Sequence, residues 1–322
     1  MNKEDLRIVF LGTPEFAVES LDALYSNGFN IVGVVTMPDK PAGRGHKMLH
    51  SAVKQYALEK NLHLMQPVSL KDPEFVEELK SLNADLFIVI AFRMLPEVVW
   101  QMPRLGTFNL HASLLPRYRG AAPINWAVIN GDTETGVTTF FLKHEIDTGD
   151  ILCQEHVDIL PDDCVGDVHD KLMHLGAQVT LDTVNHILAG DLTPVPQDQL
   201  LQGEEATPAP KIFKETCLID WSKPAKDVRN LVRGLSPYPA AWTLMKIGDS
   251  EPVSVKIFKV TEVNGKSLNP GETAVENDRI IVGCGTGAVA IEQLQVAGKK
   301  AMPTADFLRG TTSKNITING IS

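Results

Sequence analysis

The sequence predicts an α/β domain with a doubly wound, mostly parallel sheet of the Rossmann-like kind, followed by a small β-barrel domain. Near-continuous apolar strands alternate with helices in the first part of the chain, as in a parallel sheet that is covered on both faces. A stretch rich in proline, glycine and acidic residues follows, and then come short β-like runs separated by glycine and asparagine turns. With 322 residues the chain exceeds the usual length of one domain, about 100–200 residues. We therefore predict domains over 1–190 and 211–322, with a linker over 191–210.

The first domain is predicted to open as strand, helix, strand. LRIVFLG is an apolar run, TPEFAVESLDALYSNG is amphipathic and ends in glycine, and NIVGVVT is the next apolar run. The same alternation continues through helices predicted over 51–60, 72–82, 95–102 and 164–190 and strands predicted at 62–66 and ADLFIVIAF. In the second domain the predicted strands are AWTLMKIG, VSVKIFKVTEV, RIIVGCG and AVAIEQLQVAG. Gly12 after the first strand does not open a G-x-G-x-x-G motif, which argues against a nicotinamide enzyme.

The charge of the chain is distributed unevenly. Residues 211–322 carry 15 Lys/Arg and 11 Asp/Glu, a net +4, so the total of −10 leaves −14 for residues 1–210. This asymmetry suits an acidic catalytic domain joined to a mildly basic accessory domain, but +4 is also ordinary for a domain that binds nothing. The acidic N-terminus, MNKEDLRIVFLG, lacks the basic region of a secretory signal, and we expect a cytoplasmic protein. The four cysteines show no C-x-x-C spacing, and we expect buried free thiols rather than a zinc site.

Candidate catalytic side chains lie in TFNLHAS, which reads as a strand that runs into a loop. In an open α/β sheet, ligands bind outside the carboxyl ends of the strands. Asn109 and His111 are two residues apart, so their side chains share one face of the strand. An amide N–H can stabilise an oxyanion and an imidazole can exchange a proton near neutral pH. Taken alone, Asn109 as a turn cap, His111 as a core residue and Asp147 of IDTGD as an Asx-turn are the simpler interpretations.

Taken together, these motifs resemble one enzyme family. Asn-x-His, the Ser-Leu-Leu-Pro-x-x-x-Gly of SLLPRYRG and the later Asp-x-Gly are similar to the formyltransferases that use 10-formyltetrahydrofolate. The resemblance implies that Asn109, His111 and Asp147 surround the transferred formyl group. It also implies that the folate site includes the turn residues Ser113, Leu114, Leu115 and Pro116. It implies no metal ion, and the sequence contains no H-E-x-x-H or similar ligand set.

Several stretches resemble the members of this family that formylate initiator methionyl-tRNA for translation initiation. They are FLGTPEFA, PDKPAGRG, QPVSL, MPRLG, SLLPRYRGAAPI, IDTGDIL, SPYPAAW and AGKKAM. The resemblance implies that the loop over 38–51, with the cations Lys40, Arg44 and Lys47, contacts the tRNA acceptor end. The second domain would be an oligonucleotide-binding (OB-like) barrel that binds tRNA. We expect a monomer without a membrane partner.

Two alternatives stay open at this point. A hydrolase would use water instead of the amine on the same folate, and a non-catalytic RNA- or folate-binding protein would retain the fold without the reaction. On composition alone, the 38–51 loop reads as a solvated surface loop. One stretch also departs from the family pattern, because this chain has AFRMLP where the family usually has a Tyr-Gly pair and one more residue before Leu-Pro. That loop is expected to line the folate pocket, so the roles of Phe92 and Arg93 are open.

Overall fold

The computed structural model describes residues 2–42, 47–201, 205–311 and 315–319, without the side chains of residues 42, 47 and 319. Contacts within the chain divide it into two compact units. The first unit comprises residues up to 120 together with 136–157 and 169–208, and the second comprises 121–135, 158–168 and 209 onward.

The helices and strands of the described chain are as follows. The strands are β1 (Arg7–Gly12), β2 (Asn30–Val35), β3 (Lys40–Ala42), β4 (Lys47–Leu49), β5 (Leu64–Met65), β6 (Leu86–Ile90), β7 (Thr107–His111), β8 (Arg119–Gly120), β9 (Glu134–Phe141), β10 (Ile151–Asp158), β11 (Pro208–Ala209), β12 (Ala241–Ile247), β13 (Val253–Val263), β14 (Thr273–Glu276), β15 (Arg279–Gly283), β16 (Ala288–Val296), β17 (Met302–Pro303) and β18 (Ile316–Asn319). The helices are α1 (Glu15–Ser26), α2 (Ala52–Glu59), α3 (Pro73–Ser81), α4 (Glu97–Trp100), α5 (Pro123–Ile129), α6 (Val165–Ala189), α7 (Asp198–Leu201), α8 (Ala225–Leu235) and α9 (Thr304–Arg309), with a 3₁₀ turn at Glu215–Cys217.

The first unit is built on a mostly parallel sheet with the strand order β10-β9-β7-β6-β1-β2-β5. Strand β1 pairs in parallel with β2 on one side and with β6 on the other, and β6 pairs in parallel with β7. Strand β9 then runs antiparallel to β7. The predicted doubly wound sheet is therefore confirmed, with its order reversing at β1.

Helices cover both faces of this sheet. On one face, side chains of α3 and α4 pack against Val9, Leu11, Phe87 and Val89 of the central strands. On the other face α6 lies over β7, where Gly176 leaves so little space that a Cβ would stand 2.7 Å from the Leu110 side chain. Alternate residues of β7 are thus directed to opposite faces, which decides where its polar side chains lie.

The second unit contains an antiparallel sheet with the strand order β14-β15-β16-β13-β12-β18, and β17 is added beside β16. The hydroxyl of Thr273 on β14 donates to the carbonyl of Ile316 on β18, so the two ends of the path meet. The strands therefore form a nearly closed barrel around buried aliphatic residues such as Val255, Ile257 and Leu294. This confirms the predicted small β-barrel.

Two segments from the first half of the chain belong to the second unit. Helix α5 packs against α8, and the side-chain amide of Asn125 donates to the carbonyl of Gly234 at 2.8 Å. The second compact unit therefore combines these two segments with the chain from residue 209 onward. The division at 191–210 stays a prediction, and that stretch contains α7, β11 and the side chain of Gln197, which is only 2% exposed.

The cysteines are free, as predicted, but not all are buried. Cys217 and Cys284 lie in the barrel core, whereas Cys153 and Cys164 are partly exposed. Removal from water disfavours the thiolate and raises the pKa of Cys284 to about 11. Among the described residues, no helix is long and apolar enough to cross a membrane.

Candidate active site

Strand β7 positions the two polar side chains that the sequence singled out. Asn109 lies between Val89 of β6 and Phe140 of β9, and His111 lies opposite Thr138 of β9. The intervening Leu110 is directed to the opposite face, toward α6. Asn109 and His111 therefore share one face of the sheet at the carboxyl end of β7, as predicted.

The imidazole of His111 is held in one orientation. Its Nε2 lies 2.9 Å from the carbonyl oxygen of Tyr118. A carbonyl oxygen can only accept a hydrogen bond, so Nε2 carries the hydrogen and Nδ1 is directed elsewhere. Nδ1 lies 4.0 Å from Oδ2 of Asp147, and the two side chains are 9% and 13% exposed. The structure therefore brings together the predicted histidine and aspartate.

Asp147 lies in the turn between β9 and β10. Its backbone is left-handed, with φ of 56°, and Oδ2 accepts a hydrogen bond from the backbone N–H of Gly120 at 3.0 Å. Gly149 is required two residues later, because a Cβ there would stand 1.6 Å from the carbonyl oxygen of Phe141. The D-T-G segment therefore forms a turn whose aspartate carboxylate is bonded to Gly120, outside the turn, and lies near His111.

The side chain of Asn109 is half-buried and makes no hydrogen bond to any of the residues that the structure describes. Buried or half-buried amides usually have partners. Two N–H donors are therefore available to a ligand beside an imidazole and a carboxylate. Among the described residues, no cluster of three or more His, Cys, Asp or Glu side chains is placed to hold a metal ion.

The predicted folate-site residues form a rigid turn after β7. The hydroxyl of Ser113 donates to the carbonyl of Arg117 at 2.6 Å, and the backbone N–H of Leu115 donates to Thr138 Oγ1 at 3.1 Å. The Leu115–Pro116 peptide bond is cis. Ser113, Leu115 and Pro116 are buried and Leu114 is half-buried, so these side chains mainly support the turn. Their part in folate binding stays a prediction.

The two arginines of PRYRG have different environments. Arg117 is exposed, and its guanidinium lies 5.1 Å from the centre of the Tyr118 ring. Arg119 is directed inward, where Nε and Nη2 donate to Oε1 of Gln197 at 3.1 Å and 2.8 Å. Arg119 is therefore connected through Gln197 to the Asp147 turn, as described below.

Arg93 of the divergent AFRMLP stretch connects two loops at the carboxyl edge of the sheet. Its Nη1 donates to the carbonyl of Val68 at 2.8 Å and its Nη2 donates to the carbonyl of Pro67. Nε is buried without a partner in the described part of the chain, and burial lowers the pKa of this guanidinium. The side chains of Val68 and Met94 beside it are 84% and 74% exposed.

The base of the 38–51 loop is anchored by a carboxylate. Asp39 accepts hydrogen bonds or ion pairs from His50 Nδ1 at 3.0 Å, Lys54 Nζ at 2.6 Å and Gln66 Nε2 at 3.1 Å. These donors, His50 first, hold the pKa of Asp39 well below its usual range. Strands β3 and β4 form a short hairpin, with Lys40 exposed opposite Leu49. Arg44 and the side chain of Lys47 lie outside the described residues.

Sequence reasoning missed Gln197, Thr138 and the inward role of Arg119. Gln197 lies in PVPQDQ, where a high proline and acidic content suggested only a linker. A single glutamine carries no periodicity or motif, so its burial was not readable from the sequence.

Comparisons with known proteins define the class. The sequence pattern of the formyl transferase family matches residues 6–184, and that of the formyl transferase C-terminal domain matches residues 211–312. The chain belongs to the formyl transferase family, which confirms the predicted resemblance.

Its relatives include individual enzymes with one shared name. A methionyl-tRNA formyltransferase of Bacteroides fragilis is 58% identical over 314 residues, which cover 96% of each chain. Methionyl-tRNA formyltransferases of Phocaeicola vulgatus and Flavobacterium johnsoniae are 58% and 50% identical, and the matches cover 98% and 96% of this chain and 99% and 97% of those proteins.

Solved structures share the fold at low sequence identity. WlaRD, a sugar 3N-formyl transferase crystallised with dTDP and 5-N-formyl-THF, has a TM-score of 0.65 at 20% identity over 92% of this chain and 99% of its own. HypX from Aquifex aeolicus in complex with tetrahydrofolic acid has a TM-score of 0.63 at 21% identity over 94% of this chain and 47% of its own.

Proposed function

We propose that this chain transfers the formyl group of 10-formyltetrahydrofolate to the α-amine of methionyl initiator tRNA. The observation that carries the proposal is the oriented imidazole of His111 beside the held carboxylate of Asp147, with Asn109, whose amide has no partner among the described residues, on the same strand. The relatives named above share one enzyme name over nearly their whole length. The acceptor and the donor are those that the relatives' name and the sequence resemblance indicate.

The reaction is an attack by the neutral amine on the formyl carbon. Asn109 donates hydrogen bonds to the formyl oxygen as it becomes an oxyanion, a contact that strengthens in the transition state. One proton must leave the attacking nitrogen and one must reach the leaving folate nitrogen. Asp147 accepts the first. Nδ1 of His111, which carries no hydrogen while Nε2–H is bonded to the Tyr118 carbonyl, relays that same proton to the leaving folate nitrogen. This scheme assigns no role to a metal ion.

Donor and acceptor binding are assigned to different segments. The Ser113–Pro116 turn and the loop that contains Arg93 form the folate site in this proposal. The 38–51 loop binds the tRNA acceptor end through Lys40, Arg44 and Lys47, since cationic loops suit single-stranded ends. The OB-like barrel, with its excess of Lys and Arg, binds the remainder of the tRNA. We propose a cytoplasmic monomer.

A single-turnover assay tests the function. The full chain is mixed with formyl-labelled 10-formyltetrahydrofolate, with and without methionyl initiator tRNA, and both labelled products are quantified. We expect N-formylmethionyl-tRNA in the presence of tRNA and little free formate in its absence. Tetrahydrofolate and formate formed at the same rate without tRNA would establish the hydrolase instead, and binding without turnover would establish a non-catalytic protein.

A further inference from the structure

We infer that Gln197 is a positioning residue that holds the Asp147 turn in its reactive geometry. The inference rests on the proposed function, because Asp147 reacts only in that scheme. Gln197 lies 50 residues beyond Asp147 in sequence, within the stretch predicted as linker. Nevertheless its side chain is inserted beneath the turn and is 2% exposed.

The amide group of Gln197 is bonded on both sides. Nε2 donates to the backbone carbonyls of Asp147 at 2.9 Å and Gly149 at 2.8 Å, which flank the turn. Oε1 accepts from the guanidinium of Arg119 at 3.1 Å and 2.8 Å. A primary amide offers two donors and one carbonyl acceptor, so its hydrogen-bonding capacity is used here almost completely.

These bonds form a closed circuit around the carboxylate. The side chain of Gln197 accepts a hydrogen bond from Arg119. Gly120, which follows Arg119 in the chain, donates its backbone N–H to the Asp147 carboxylate. The backbone carbonyl of Asp147 in turn accepts a hydrogen bond from Gln197. The backbone of Asp147 is fixed from one side and its carboxylate from the other. Because φ is positive there, the turn needs such external support to keep the carboxylate directed at His111.

Purely structural support is the competing explanation, since a buried amide stabilises any turn that it bonds. The two explanations differ in how Gln197 and Asp147 depend on each other. A positioning residue acts through the carboxylate, so its loss costs little once that carboxylate has been removed. Structural support would cost the same in both backgrounds.

The test uses the near-isosteric Gln197→Met in the full chain, alone and combined with Asp147→Asn. Single-turnover formylation gives the rate, steady-state kinetics separate kcat from KM, and thermal unfolding checks the fold. We expect Gln197→Met to lower kcat about 10- to 100-fold, because small displacements of a catalytic group have effects of this size. The donor KM should change by less than about threefold, and in the Asp147→Asn background the further loss should be below about threefold.

Two further variants keep the result interpretable. Gln178→Met is the matched control, because Gln178 is an exposed helical glutamine whose side chain bonds Asp182 of the same helix, and it should behave as the parent. Gln197→Glu keeps the acceptor for Arg119 but loses the donors, and its charge-assisted bond to Arg119 favours folding. It should be as slow as Gln197→Met.

The outcomes separate the two proposals. A normal kcat in either Gln197 variant would overturn the positioning role while the proposed function stands. So would an equal loss of kcat on Gln197→Met in the parent and in the Asp147→Asn background. Full activity in Asp147→Asn would instead overturn the assigned role of Asp147 in the reaction, and the positioning role with it.

Discussion

Nδ1 of His111 faces Oδ2 of Asp147 across 4.0 Å, while Nε2 of the same ring is bonded to the Tyr118 carbonyl. This separation exceeds the range of an N–H···O hydrogen bond, whose donor–acceptor distance is at most about 3.2 Å. The two groups are therefore close but not bonded to each other. A substrate nitrogen or a water molecule can contact both, as the two proton transfers in formyl transfer require.

The first prediction concerns Asn109, which lies on the same face of β7 as His111. Asn109→Ala should lower kcat by about 10²- to 10³-fold, the usual effect of removing one oxyanion donor, with the fold retained. Asn109→Asp should be at least as slow, because a carboxylate offers no donor and repels the oxyanion. Single-turnover formylation measures the rate of each variant, and binding of the formyl donor serves as the check that the fold is retained. An active Asn109→Asp enzyme would show that Asn109 only fills space.

The second prediction concerns the departure from the family pattern. Arg93→Met should raise the KM for the formyl donor about three- to tenfold, because the carbonyls of Pro67 and Val68 lose the donors that fix their loop. The tRNA KM should be unchanged. Arg104→Met serves as the control, since Arg104 is 60% exposed and pairs with Asp85, which precedes β6, whereas Arg93 follows that strand. Equal donor KM values for both variants would remove Arg93 from the folate site.

The third prediction is a pH dependence of stability from Asp39. Its pKa is lowered in the folded state, so the carboxylate stabilises the fold above its unfolded pKa of about 3.9, and this contribution is lost as pH falls below that value. Asp39→Asn should therefore be less stable than the parent at pH 7, and the difference should shrink below about pH 4. Urea unfolding of both proteins between pH 3 and 7 measures it. A difference that is constant with pH would mean that the ionised form is not preferentially bound by His50 and Lys54.

The fourth prediction concerns the contact between α5 and α8. A Cβ on Gly234 would stand 2.5 Å from Ile129 Cγ1 and 2.9 Å from its backbone nitrogen. Gly234→Ala should therefore destabilise the second unit by about 1–3 kcal/mol, as overpacked sites do. At Gly310 the nearest atoms are 3.7 Å away and Gly310→Ala should change stability by less than about 0.5 kcal/mol. Thermal and urea unfolding measure the stability of both variants. Equal stabilities would mean that α5 moves to accommodate the added Cβ at residue 234 without loss of stability.

The contact between α5 and α8 also decides how the units are tested. A fragment that ends in the predicted linker would lack α8, so α5 would lose the surface that it covers in the second unit. Loss of activity in such a fragment could then reflect exposed apolar surface rather than lost tRNA contacts. Point substitutions in the full chain are therefore the appropriate test.

The sequence by itself determined the features that depend on local periodicity. Apolar runs of strand length defined the parallel sheet and the barrel, and a spacing of two placed Asn109 and His111 on one face of β7. These follow from backbone geometry within a few residues. The combination of Asn-x-His, SLLPRYRG and the later Asp-x-Gly likewise indicated the family.

Only the tertiary structure decided which distant segments meet. The approach of Asp147 to His111, the insertion of Gln197 beneath the Asp147 turn and the membership of α5 in the second unit all join residues far apart in sequence. The composition of 191–210 predicted a linker but could not show that one glutamine is buried there. Burial of a lone polar side chain depends on partners contributed by other loops, here Arg119 and two backbone carbonyls, and such partners exist only once the chain has folded.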